Sequence, residues 1–248
     1  MMYYWLPASM LFRRELLRFW RERSRVAGFV GTPFVFWIVV GSGYSDFARF
    51  LPGALVLTVM FSAIFSAMSL IEDRKEGFLQ CVLASPAPRI AIVAGKVAGG
   101  SLIATAQTLL FLLVATLGGS LYPEANLPLL ALLFLLTALG FTAAGFMIAW
   151  LIASSQGFHA VINLIFVPLW MVSGAIFQLG EATAGMRWLM LANPVTYANQ
   201  AISLALGVSS GGAAWLSLTG STLVVAATAL ASLFAASVVI GRRSNRSI

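Results

Sequence analysis

Residues 51–96 read LPGALVLTVMFSAIFSAMSLIEDRKEGFLQCVLASPAPRIAIVAGK. The stretch 51–71 holds no charged residue, and residues 72–76 are all charged. A hydrocarbon core about 30 Å thick needs about 20 apolar residues in a helix. The stretch 51–71 therefore predicts one membrane span, and Glu72-Asp73-Arg74-Lys75-Glu76 its exit into water. Beyond the exit, Phe78, Leu79, Val82 and Leu83 share one helical face by i, i+3, i+4 spacing. Ser85-Pro86-Ala87-Pro88 ends that short helix, because proline lacks an N–H and disfavours helix before it. The same features also fit a solvated loop with one apolar turn resting on the membrane.

Working outward, five more runs are long and apolar enough to span: 27–44, 97–121, 127–153, 159–179 and 213–240. Backbone groups in lipid must pair within their own segment, and runs this continuous do not alternate as barrel strands do. The expected fold is thus an all-α membrane protein with six transmembrane helices. Composition agrees: of 248 residues 60% are hydrophobic and only 9% charged, with a mean hydropathy of +0.94. Soluble domains carry about 25% charged residues, so a soluble domain and a free nucleic-acid binder are excluded. No small-x-small site closes the first apolar run, which reads as a span and not as a cleaved leader.

The charges are lopsided. With six spans, the segment before span one, the loop 72–96 and the tail 241–248 share one side. That side holds 13 basic and 5 acidic residues, a net +8; the other holds Arg49, Arg187 and three acids, a net −1. The positive-inside rule then puts both termini in the cytoplasm.

The N-terminal 26 residues form a second amphipathic element. Phe12, Leu16, Phe19 and Trp20 cluster on one side of a helix over 6–25, and Arg14, Arg18, Arg21 and Arg25 on the other. This suits a helix lying in the interface with its arginines on lipid headgroups, or equally a surface for a partner. Nucleic acid is the less near anion, because a span follows directly.

Chemistry of the usual kinds is missing. One cysteine, Cys81, and one histidine, His159, exclude a disulfide framework, a multi-cysteine metal site and paired-histidine motifs. No Asp, Glu, Lys or Arg falls inside the six expected cores, so the intramembrane carboxylates and relays of ion-driven transporters are not expected. No G-x-x-x-x-G-K-[ST] is present. Uphill transport would need energy from a separate protein docked on the cytoplasmic side.

The stretch IEDRKEGFLQCVLASPAPRIAIVAGKV resembles the first cytoplasmic loop of type-2 ABC exporter permeases. The resemblance rests on the acidic-basic cluster, Glu76-Gly77, an apolar turn, Ser85-Pro86, Arg89 and Gly95-Lys96, in that order. Asn193-Pro194-Val195-Thr196-Tyr197 resembles a second family segment, although Asn-Pro also simply starts a helix. The resemblance implies a permease subunit that is not itself an enzyme. It would pair with a second copy or a related permease and bind two cytoplasmic ATPases that carry ATP and Mg. Its inner-membrane location, among lipids, follows as well. ATPase docking would fall on Glu72, Asp73, Arg74, Lys75, Glu76, Gly77, Phe78, Leu79, Val82, Leu83 and Arg89. The residues 180–212, apolar yet broken by Asn193-Pro194, would form short helices re-entering the outer leaflet.

By the same resemblance spans two and five line the path, which assigns Phe61, Phe65, Asn163, Phe166, Trp170 and Met171 to it, with Phe177 beyond. Met and aromatic walls suit an apolar or amphipathic substrate, although helix packing explains each residue singly. Asn163 is expected to be buried with a partner across a helix interface. Pro168 is expected to kink span five, and Gly140, Ala144 and Gly145 to allow close contact of span four. The short uncharged loop 154–158 makes a second docking helix doubtful. The rival function is a non-transporting scaffold that docks an ATPase; a membrane enzyme lacks any nucleophile-base set.

Overall fold

The computed structural model describes residues 2–24, 26–28, 31, 35, 38–39, 47–117, 122, 124–176, 182–208 and 217–243. The expected first span, 27–44, lies for the most part outside the described residues, as do Phe177, Glu181 and the tail beyond 243. Among the described residues every regular element is helical: α1 (Met2–Arg21), α2 (Phe47–Ser66), α3 (Met68–Lys75), α4 (Phe78–Ala84), α5 (Arg89–Leu117), α6 (Leu127–Leu151), α7 (Ser155–Trp170), a π turn (Met171–Ala175), α8 (Ala184–Ala192), α9 (Pro194–Ala205) and α10 (Leu218–Arg243). Five stretches are long and apolar enough to cross a membrane: Phe50–Lys75, Arg89–Leu117, Leu127–Leu151, Ser155–Ala175 and Leu218–Ile240.

Two helix starts differ from the apolar runs. The α5 helix begins at Arg89, not at 97, because the Pro88 carbonyl already accepts the Ala91 N–H at 2.8 Å. Lys96, one residue before the expected apolar core at 97, therefore sits inside a long helix and is buried. The α7 helix begins at Ser155, where the Ser154 hydroxyl accepts the Gly157 N–H at 3.1 Å and caps the first turn.

Helices α2, α5 and α6 pack around a core that includes Leu55, Met60, Ile64, Phe111, Leu130, Phe134 and Phe146, all within 1% of full burial. Small residues set how closely they approach. A Cβ added at Gly145 would stand 3.0 Å from the Ile64 backbone, and one at Gly140 3.2 Å from the Ala229 Cα on α10. Both contacts are of the kind that small residues permit between spanning helices. Ser101 donates to the Thr142 hydroxyl at 3.2 Å beside Gly100, where a Cβ would meet Ser66.

Helices α7 and α10 are different. Only 22% of each span's most apolar window is buried, against 56–61% for the other three. Their outer faces, including Leu164, Leu223, Leu230 and Phe234, are exposed within the single chain.

After Pro168, α7 widens into the π turn, and Gly174 takes φ +89°, a left-handed conformation natural to glycine. The kink expected from Pro168 is thus completed several residues later. Two carbonyls of this stretch accept from outside: Asn193 Nδ2 donates to Leu169 O at 2.6 Å and Asn199 Nδ2 to Ser173 O at 3.3 Å. Asn193 Oδ1 meanwhile accepts from Val195 N at 3.0 Å and caps α9, whose first residue is Pro194.

The N-terminal helix does more than present arginines. Leu11, Glu15 and Phe19, one turn apart, are its buried stripe, while Trp5, Met10 and Trp20 stay exposed. The stripe lies on α5 at Gly95 and Gly99. A Cβ at Gly95 would fall 2.5 Å from the Ala8 carbonyl oxygen, and one at Gly99 2.9 Å from Glu15 Cβ. Two glycines four apart make a groove in which a second backbone can lie. Gly95→Val is expected to cost about 1–3 kcal/mol through overpacking, read as a lower melting temperature in detergent, and to render α1 cleavable by trypsin at its arginines. Unchanged melting and protease resistance would sink this account of the α1–α5 contact.

Candidate docking site at the turn between α3 and α4

Helix α3 ends because Gly77 takes φ +79°. The Glu76 N–H still bonds Glu72 O at 2.9 Å and the Gly77 N–H bonds Arg74 O at 3.4 Å, which finishes the helix in the manner of a glycine C-cap. Helix α4 then starts in a new direction and stops at Ser85, whose hydroxyl donates to Val82 O at 2.6 Å ahead of Pro86 and Pro88. Leu79 is buried, and Phe78, Val82 and Leu83 are half-buried against the helix core. The apolar face read from the sequence is therefore turned inward. Lys75, Glu76, Gln80, Cys81, Ala84 and Ser85 form the exposed side, and Arg89 is half-buried at the start of α5.

The charges divide by depth. The Asp73 side chain has no solvent exposure. Its carboxylate accepts from Arg14 at 2.7 and 3.1 Å and from Arg18 at 2.8 Å, and pairs with Lys96 Nζ at 2.6 Å. Lys96 also donates to Glu15 at 2.6 Å and to the Ser69 hydroxyl at 3.1 Å. Arg18 reaches outward to Glu72 at 3.1 Å and Glu76 at 3.0 Å. Burial alone would push the Arg18 pKa down, but Glu72, Asp73, Glu76 and Glu15 outweigh it and hold the guanidinium above its ordinary value. Arg14 adds a face contact on the Phe78 ring, 3.7 Å from its centroid, which fastens α4 to α1.

Arg74 and Lys75 face the other way. Arg74 donates to Ile152 O and Trp150 O at 3.0 Å and to Ala149 O at 3.4 Å, so it closes the C-terminus of α6, where carbonyls lack partners and a cation is favoured. Lys75 donates to Ser155 Oγ at 3.1 Å, at the first residue of α7. The turn is thus tied to α1, α5, α6 and α7 together. Sequence reasoning found the charged stretch but missed its partners Arg14, Glu15, Arg18 and Lys96. The one available signal was Glu15, a lone acid amid the arginines of α1.

The residues expected on the path do not all meet. Phe61 and Phe65 stack with centroids 5.4 Å apart, and Phe65 lies 5.2 Å from His159 on α7. Trp170 donates its indole N–H to Gly53 O at 2.9 Å and so pins α7 to α2. Phe166 is buried and meets Phe141 edge-on at 5.9 Å, on the α6 side of α7. Asn163 is exposed, not buried as expected, on a face of α7 that also carries exposed Leu164 and Ile165. Met171 is 40% exposed. Among the described residues no group of three His, Cys, Asp or Glu is placed to hold a metal.

The site is thus a charged turn at the foot of a long apolar helix, locked to an amphipathic N-terminal helix. The sequence profile of the ABC-2 type transporter family matches residues 8–206. The chain belongs to the ABC-2 type transporter family. The match runs from α1 through α9 and includes the ion cluster, the α3–α4 turn and Asn193. A protein of Cyanophora paradoxa that bears the name "Putative transport permease ycf38" is 28% identical over 163 residues, which cover 65% of this chain and 56% of that protein. The chain therefore matches little more than half the length of that relative. This ABC-2 type protein is a membrane-embedded permease-type chain and not an enzyme.

Asp73→Asn leaves Arg14, Arg18 and Lys96 facing one another without their shared anion. It is expected to destabilise the permease by about 3–5 kcal/mol, the loss typical of breaking a buried ion pair, in a denaturant titration in detergent. A single variant within about 0.5 kcal/mol of the parent would show that the cluster contributes little.

Proposed function

We propose that this chain is the membrane-spanning half of an ATP-driven exporter, and that the α3–α4 turn seats a separate cytoplasmic ATPase which binds ATP and Mg. What supports this reading is the anchorage of the turn: Asp73 ties it to α1 and α5, and Arg74 and Lys75 tie it to α6 and α7. A push on its exposed side reaches four helices without an intervening flexible link. On this reading Glu76 and Gln80 touch the ATPase, Phe78, Leu79, Val82 and Leu83 hold the turn against the bundle, and Gly77 sets its direction.

The finer architecture belongs to the same proposal. A sixth span over 27–44 completes the set, both termini face the cytoplasm of the inner membrane, and α1 lies at the headgroups with Trp5 and Trp20 in the interface. Helices α8 and α9 re-enter from the outer side, with exposed Trp188 and Leu189 toward lipid. A second copy or a related permease covers the exposed face of α7, so that Asn163 finds its partner there and Phe61, Phe65, Trp170 and Met171 border a shared path. Family membership and the thin burial of α7 favour this pairing.

Two variants separate docking from transmission. Glu76→Arg with Gln80→Arg is expected to weaken ATPase binding about tenfold or more, as loss of a hot-spot contact does. Arg74→Gln is expected to leave binding intact and reduce the coupling of ATP turnover to transport about tenfold, within the range of ordinary allosteric couplings. Pull-down with the cognate ATPase and turnover in proteoliposomes measure the two. Wild-type association and stimulation in both variants would refute the docking assignment.

A further inference from the structure

Opposite the buried stripe of α1 runs an exposed one. Leu6, Met10, Arg13, Leu17 and Trp20 follow one another at helical spacings of three and four, and all five are exposed. Along this stripe, between α1 and the end of α3, lies an open groove of about 550 Å³. Met10 and Leu17 give it an apolar wall, and Arg13, Arg14, Arg18 and Arg21 give it cations. Glu22 and Glu76 are its two carboxylates.

These charges are not equivalent. Arg14 and Arg18 are committed to Asp73, Glu72 and Glu76. Glu76 is held by Arg18, and Glu22 is engaged as well. Arg13 and Arg21 have no ion-pair partner among the described residues, and both are exposed. What the groove offers a ligand is therefore positive charge beside an apolar wall. A free phosphate or an acidic side chain would meet the arginines and leave Met10, Leu17 and Trp20 uncovered. A phospholipid meets both needs, since guanidinium pairs strongly with phosphate and acyl carbons cover the apolar residues. A cleft of about 300–1,000 Å³ suits a group the size of a lipid headgroup. A zwitterionic headgroup brings an ammonium that Arg13 and Arg21 repel, whereas a net negative one brings none.

We propose that the groove between α1 and Glu76 is a selective site for the headgroup of a net-negative phospholipid. Arg13 and Arg21 take its phosphate, and Met10 and Leu17 lie against the carbons next to it. The inference rests on the reading that α1 lies at the headgroups, and it adds to that reading a defined site with a charge preference. Arg18 both lines the groove and holds Glu76, so the bound lipid is a neighbour of the α3–α4 turn.

The test uses the full-length protein in phosphatidylcholine nanodiscs that carry a trace of photoreactive lipid, either phosphatidylglycerol or phosphatidylcholine. Each has a diazirine at the start of one acyl chain, and mass spectrometry reads the adducts on α1. Phosphatidylglycerol is expected to label the segment from Met10 to Leu17 about twenty-five-fold more than phosphatidylcholine, from about fivefold per arginine. Arg13→Gln with Arg21→Gln is expected to bring that ratio to about one without lowering the melting temperature, because both side chains are exposed and unpaired. Arg23→Gln, exposed but outside the groove, is expected to leave the ratio unchanged. Equal labelling by the two lipids would overturn the site while leaving α1 at the headgroups, and no labelling by either would overturn both. An equal loss in Arg23→Gln would show a diffuse field and no site. Displacement by millimolar glycerol phosphate would make the ligand a free phosphate, and loss of labelling on binding the cognate ATPase would give the groove to that protein; either result overturns the proposal.

Discussion

An anion with no access to water must be surrounded by cations, and Asp73 meets that requirement with three. Taking a carboxylate out of water is strongly unfavourable unless its partners are close and well aligned. The partners here come from α1 and α5, so Asp73 is comfortable only when both helices are in place. Lys96 is bound by the converse condition, because inside a long apolar helix it needs Glu15 and Asp73. The glycines of α5 serve the same end. Gly95 and Gly99 let the α1 backbone approach until Glu15 is within reach of Lys96. Packing and charge thus fix one geometry between them, and the direction of α3 into α4 follows from it.

The same constraint explains why the turn is asymmetric. Glu72 and Glu76 take the outer reach of Arg18, while Arg74 and Lys75 leave the cluster and hold α6 and α7. Five consecutive charges in the sequence become an inner clasp, an outer pair and a helix cap. Alternation of direction along one turn of helix accomplishes this, since neighbouring residues stand about 100° apart.

Long features were legible in the sequence and paired features were not. The spans beginning at 51 and 127 could be read directly, since twenty apolar residues in lipid have few conformational options. The starts of α5 and α7 were misread because hydropathy marks where polarity ends and not where the helix begins. Arg89 and Ser155 open their helices through a proline stop and a serine cap. The turn at Gly77 was readable as a break, but which side of α4 faces out was not. Its apolar face packs on the bundle in the single chain, with Leu79 buried and Phe78, Val82 and Leu83 half-buried. Arg14, Arg18 and Lys96 could not be matched to Asp73 from spacing, because their partners lie 23 to 59 residues away. Asn193 was read as a helix cap, which it is. Its amide also donates to the Leu169 carbonyl, 24 residues earlier, a pairing that local spacing does not signal.

The contact between α1 and α5 also has a consequence in time. Glu15 and Lys96 are 81 residues apart. At roughly 5–20 residues per second, α1 is synthesised several seconds before the helix that neutralises it exists. Through that interval Arg14 and Arg18 gain Asp73, Glu72 and Glu76 first, and Glu15 waits for Lys96. The N-terminal helix is therefore made first and docked late. The ion cluster closes only when α5 has been made, with more than half of the chain still to follow.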